Sequence, residues 1–98
     1  MEIKENESKV TIHLDGSVDI TNIGPFSVEV DRLCTVSGKQ IEVDMGDVTY
    51  VDSTGVSHLL RLYKHQKQQG LGFSITRISD KANSVISLCS LSETLNAQ

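Results

Sequence analysis

Val48-Thr-Tyr-Val-Asp52-Ser53-Thr54-Gly55-Val56-Ser57-His58-Leu59-Leu60-Arg61-Leu62-Tyr63-Lys64 is the stretch on which the reading of this chain turns. Before Asp52 the segment is an apolar/polar run through Val48, Tyr50 and Val51. After it, Val56, Leu59, Leu60 and Tyr63 recur at i, i+3, i+4 and i+7, the stripe of an amphipathic helix predicted over Ser53–Gln69. Ser57, His58, Arg61, Lys64, His65 and Gln68 take the remaining surface. Lys64 and Lys67 near the end suit the negative helix terminus, and Gly70 suits the residue just past it. The change of period falls on Asp52-Ser53-Thr54-Gly55, a strand-to-helix junction. There Asp52 or Ser53 can cap the helix, and the first free N–H groups make a weakly positive anion site. A plain helix cap and a functional site are both compatible with these residues. Gly55, lacking a Cβ, leaves room for a second protein backbone to approach.

Working outward, Lys9–Leu14 alternates, with Val10, Ile12 and Leu14 on one face, which predicts a half-buried strand. Asp15–Gly16 is a turn signal, although Val18 and Ile20 extend the pattern. Thr21 and Asn22 are candidate caps for a helix with Pro25 near its start and apolar positions Ile23, Phe26, Val30, Leu33 and Cys34, closed by Ser37–Gly38. Gln40–Met45 alternates again, with a break at Gly46–Asp47. Leu71–Ile78 reads as a strand, and Ser79–Asp80 caps a last helix with the stripe Val85, Ile86, Leu88 and Cys89. A short strand at Glu2–Glu5 hairpins onto Lys9–Leu14. This order predicts one α/β domain over residues 1–98, with a four- to five-stranded mixed, mostly parallel sheet and helices mainly on one face.

Composition narrows the function. The 98 residues carry a net charge of −4, and the nine Lys and Arg are scattered, which argues against a nucleic-acid partner. No apolar run approaches the ~20 residues of a bilayer span. The charged start Met1–Ser8 is unlike a signal peptide, so the expectation is a soluble, cytoplasmic protein without membrane insertion. Cys34 and Cys89 lack C-x-x-C spacing and read as reduced core thiols. His13, His58 and His65 are not spaced as metal ligands, so neither metal nor cofactor is expected.

The Val48–Lys64 stretch resembles the signature of STAS domains, in particular the anti-sigma factor antagonists of bacterial partner-switching systems: a strand, then Asp-Ser-Ser/Thr-Gly, then a helix ending in Tyr/Phe-Lys. Leu14-Asp-Gly-Ser-Val-Asp19-Ile-Thr21 is similar to the family's Gly-Glu-Leu-Asp segment and the loop after it, and Ser79-Asp80 opens the last helix where the family does. The resemblance covers nearly the whole chain. It implies that Ser53 is phosphorylated by a partner that is both serine kinase and anti-sigma factor and is restored by a serine phosphatase, with Thr54 the runner-up acceptor. It also implies a partner surface of Asp19, Thr21, Asn22, Asp52, Ser53, Thr54 and Gly55, with Ser57, His58 and Arg61 beside it. Val56-Ser57 and Arg61 stand where the family often has Leu-Gly and Gly, which bears on partner identity more than on fold.

Two rival classes are weaker. For an enzyme, Gly55-Val-Ser57-His-Leu59 fails as G-x-S-x-G at its last position, and no Walker or G-x-G-x-x-G loop occurs. A STAS scaffold or binding subunit of a transporter or of a non-sigma regulatory complex is the other alternative, and a pure scaffold has no need of the Asp52-Ser53 pair.

Overall fold

Among the described residues, seven elements follow one another: β1 (Glu2–Glu5), β2 (Lys9–Val18), α1 (Gly24–Thr35), β3 (Gln40–Val51), α2 (Ser53–Gln69), β4 (Phe73–Ile78) and α3 (Asp80–Leu88). The computed structural model describes residues 1–35 and 38–88, with side chains as far as residue 84. The sheet order is β1-β2-β3-β4. β1 runs antiparallel to β2, while β2–β3 and β3–β4 are parallel. The hairpin turns on Asn6, whose Oδ1 accepts from the N–H groups of Ser8 and Lys9 at 2.8 Å each. The two parallel connections, through α1 and α2, step in the same direction across the sheet. Right-handed crossovers therefore lay both helices on one face.

That face is the core. β2 supplies Val10, Ile12, Leu14 and Val18, β3 supplies Ile41, Val43, Met45, Val48 and Val51, and β4 supplies Ile75. Phe26, Val30 and Leu33 of α1 and Val56, Leu59 and Leu62 of α2 close over them. The alternate strand positions are polar and paired with one another: Lys9 Nζ lies 3.3 Å from Glu42, Arg77 Nε 2.9 Å from Asp44, and His13 Nε2 2.8 Å from Asp47. This two-sided pattern is why the strands alternate rather than running continuously apolar.

Four local expectations are corrected. Asp15–Gly16 is not a turn: β2 continues through it, with Gly16 at φ 64° and register shifts on either side. Likewise β3 does not break at Gly46–Asp47. The extra residue is absorbed as an irregularity, so that Met45, Val48 and Val51 all face the core at a spacing of three rather than two. On α2 the fully buried row is Gly55, Leu59, Leu62 and Gln66, with Val56 beside it, while Leu60 and Tyr63 are only partly covered. Tyr63 sits at the border of the stripe, edge-on to Phe73 at 6.0 Å. Gln66 was not expected inside. It is tolerated because Nε2 donates to the carbonyls of Lys39 and Gly72, both at 2.9 Å, tying α2 to the strand starts. Finally, α1 begins at Gly24, so neither Thr21 nor Asn22 caps it. Ser79 does cap α3, its Oγ accepting from Ala82 N–H at 3.2 Å. Gly70 closes α2 at φ 70°. The stripe Val85, Ile86, Leu88, Cys89 and the closure at Ser37 lie outside the described side chains.

Candidate functional site

The junction of β3 and α2 is built around one carboxylate. Asp52 has extended backbone and stands as the N-cap of α2, its Oδ1 accepting from Gly55 N–H at 3.1 Å. Its Oδ2 reaches across the rim and accepts from Ile20 N–H at 3.1 Å. The Asp52 N–H in turn donates to the Val18 carbonyl at 3.3 Å. Partial burial pushes this carboxyl up, but the N–H donors of Gly55 and Ile20 outweigh it and hold it below the usual carboxylate value. Asp52 is therefore both cap and strap, fastening the loop after β2 to the start of α2.

With the capping role taken by Asp52, Ser53 is the first residue of the helix and is exposed. Its backbone carbonyl accepts from Ser57 Oγ at 2.8 Å, while its own hydroxyl has no partner among the described residues. Thr54, one position on, is half-buried. Gly55 is buried, which corrects the reading of an open approach for a foreign backbone. A Cβ there would come within 2.6 Å of the Val18 carbonyl oxygen and 2.7 Å of Val51 Cγ2. The backbone that needs this glycine is the chain's own.

The loop opposite is locked by its own side chains. Asp19 Oδ1 accepts from the Thr21 N–H at 3.0 Å and from its hydroxyl at 2.6 Å. Asn22 Oδ1 accepts from Asp19 N–H at 3.0 Å, and Asn22 N–H donates back to the Asp19 carbonyl. This reciprocal pair, not a helix cap, is the use made of Thr21 and Asn22. The structure thus brings Asp19, Thr21 and Asn22 to the same rim as Asp52, Ser53 and Thr54. His58 and Arg61 lie further along α2 and face α1. The His58 Nδ1 is 2.8 Å from the Thr54 carbonyl, an acceptor only, so that nitrogen carries the proton, and the ring packs at 6.1 Å from Phe26. Arg61 pairs with Asp31 of α1, and that carboxylate holds the guanidinium above its ordinary value.

Two apolar side chains near this rim escaped the sequence reading. Ile20, taken as a continuation of the strand pattern, is 71% exposed at the loop tip, and Tyr50 is 52% exposed at the end of β3. The available signal for Ile20 was its place inside Asp19-Ile-Thr-Asn22, a turn-forming run rather than a strand. Among the described residues, no group of three or more His, Cys, Asp or Glu could hold a metal ion, and no helix is long and apolar enough to cross a membrane.

Residues 1–97 match the STAS domain family. The chain is 24% identical over 81 residues to the anti-sigma-B factor antagonist of Bacillus subtilis, covering 83% of this chain and 73% of that protein. Among solved structures it superposes on one assigned as an anti-sigma factor antagonist from Thermotoga maritima, with TM-score 0.86 and 21% identity over 98% of this chain and 83% of that one. An antagonist from Mycobacterium paratuberculosis gives 0.85 with 16% identity, covering 98% and 81%. The antagonist SpoIIAA in its unphosphorylated form gives 0.82 with 14% identity, covering 99% and 86%. At these identities the structural likenesses establish a shared fold.

Proposed function

The chain belongs to the STAS domain family, and from that premise we propose that it is a phosphorylation-controlled interaction switch of the anti-sigma factor antagonist type. It binds a partner that is both serine kinase and anti-sigma factor while Ser53 is unmodified, and lets go when Ser53 is phosphorylated. A serine phosphatase resets it, the setting is the bacterial cytoplasm, and the chain itself catalyses nothing.

The observation that carries this reading is the Ser53 hydroxyl: exposed, at the first turn of α2, and not spent on capping because Asp52 already caps. A kinase can reach it without unfolding anything. Transfer of the γ-phosphoryl group of ATP to Oγ, with the hydroxyl proton passing to a base of the kinase, adds roughly −1.5 to −2 charges at neutral pH. Near a helix N-terminus the fold tolerates such an anion. A docked partner does not, because the group must be desolvated beside the carboxylates of Asp52 and Asp19. Moving a complex from 99:1 bound to 1:99 takes about 5.5 kcal/mol of differential affinity. An unpaired phosphate at an interface is of that order. The exposed Ile20 next to this rim supplies apolar contact area for the same partner.

The test is incubation with the cognate kinase and ATP, followed by intact mass and phosphopeptide mapping. One phosphate on Ser53 is expected, with Ser53→Ala binding constitutively and Ser53→Asp folded but weakly bound. Phosphate confined to Thr54, or wild-type binding by Ser53→Asp, refutes the proposal.

A further inference from the structure

Helix α2 carries three of the nine Lys and Arg residues, Arg61, Lys64 and Lys67, and none of the 13 Asp and Glu residues. In a chain of net charge −4 it is a strip of opposite sign. Along its flank, against the last turn of α1, runs an open groove of about 440 Å³ that starts at Ser57, one turn past the phosphosite, and reaches Gln68. Leu60 and Cys34, both packed against the core, give it an apolar floor. Burial pushes the Cys34 thiol up, so this floor stays uncharged. Of the cations lining the groove, Arg61 is answered by Asp31, whereas Lys64 has no acidic partner among the described residues. His65 also lines it, and its Nε2 is shielded from solvent with no hydrogen-bond partner among the described residues, an uncommon state for a buried polar atom.

We infer that the α1–α2 groove is a docking surface for an acidic protein segment, one that sets an apolar side chain on Leu60 and Cys34 and carboxylates against Lys64, along the edge that His65 helps to line. Charge decides the occupant. The net negative charge of the chain disfavours such a segment in general, and the cationic strip along α2 steers it toward the groove. An open trough with an apolar floor and a cationic rim suits an extended chain more than a small enclosed ligand. The inference does not rest on Ser53, and Ser53→Asp leaves it intact.

The experiment titrates the isotopically labelled full chain by NMR, at low ionic strength, with a capped peptide of glutamate pairs separated by leucines. Saturable shifts centred on Leu60, Lys64 and His65 are expected, absent with a lysine–leucine peptide of the same pattern. Lys64→Glu weakens binding about tenfold and Lys64→Gln about threefold, as for a rim charge reversed or removed. Should Lys64→Glu melt early, Lys64→Gln decides. The inference is overturned by lack of saturation, by shifts centred elsewhere, or by undiminished binding to the Lys64 variants. Inorganic phosphate producing the same shifts overturns it in favour of a small-anion site. Self-association in sedimentation that Lys64→Glu abolishes overturns it in favour of a second copy.

Discussion

Replacing Gly55 by Ala tests how the rim is held together. The added methyl meets the Val18 carbonyl oxygen at 2.6 Å, Val51 Cγ2 at 2.7 Å and Val18 Cγ1 at 3.0 Å. Two of these belong to side chains in a packed core, and the shortest is backbone, so none yields cheaply. Overpacking of this kind costs typically 1–3 kcal/mol. The better helix propensity of Ala returns at most about 1 kcal/mol, and less in a first turn. The net expectation is a loss of about 1–2 kcal/mol, lowering the thermal midpoint by roughly 4–16 °C in a domain of this size. The Val18 carbonyl that must move is the acceptor of Asp52 N–H, so the strap between the Asp19–Asn22 loop and α2 loosens with it. The assay is thermal denaturation followed by circular dichroism, with Gly24→Ala as control. Nothing lies within 4 Å of a Cβ at Gly24, and its φ is ordinary, so that variant should melt within a few degrees of wild type. A Gly55→Ala protein that melts at or above wild type refutes the account of why glycine stands there.

On α2, Leu62→Ala should cost about 2–5 kcal/mol by chemical denaturation, against about 1 kcal/mol for the half-covered Leu60→Ala, and equal losses would mean the helix is phased differently. Gln66→Leu should cost about 1–2 kcal/mol, because the Lys39 carbonyl loses its donor while that of Gly72 keeps the N–H of Ile41 at 3.0 Å. A more stable Gln66→Leu protein would show those bonds to contribute nothing net. Acid should destabilise the fold through three carboxylates held low. These are Glu5, by hydrogen bonds from Lys39 and Arg32; Asp44, chiefly by Arg77; and Asp52, where N–H donors outweigh burial. Depressed folded-state values mean the stabilisation is complete above the ordinary 4.5 of Glu and 3.8 of Asp and is lost as pH falls below them. Urea midpoints measured down to acid pH should show this, with Asp44→Asn flattening the decline and an unchanged slope counting against the ion pair.

Element type and order were legible because each element carries its own period. Val10-Thr-Ile-His-Leu14 and Ile41-Glu-Val-Asp-Met45 alternate cleanly, and no other face of those strands could be inside. What sequence could not resolve were the phases at which elements meet. Asp15–Gly16 and Gly46–Asp47 look like turns, since glycine beside aspartate is the commonest turn chemistry. Both instead lie inside long paired strands where the register between β2 and β3 shifts and β3 carries the extra residues, a choice made by the pairing rather than by either segment alone. Leu60 and Leu62 are equally apolar, and which of them is inside is set by how α2 is phased against the sheet. Gln66 carries no apolar signal at all, and its burial follows from two carbonyls contributed by distant strand starts.

The junction itself shows the same division. Sequence left open whether Asp52 or Ser53 caps α2, and the answer settles what the serine is free to do. A capping serine would have its hydroxyl turned back onto the helix, where modification would break the cap and fray the first turn. With Asp52 as cap, two N–H donors are satisfied by a carboxylate that they hold below its usual value. The neighbouring Ser53 is exposed, and its hydroxyl has no partner among the described residues. Phosphate at Ser53 would be held off the helix end by the Asp52 charge and directed outward, so its energetic consequence falls on a bound partner and not on the fold. On the proposed function, that separation of a structural carboxylate from a modifiable hydroxyl, one residue apart, would let phosphate change affinity without changing shape.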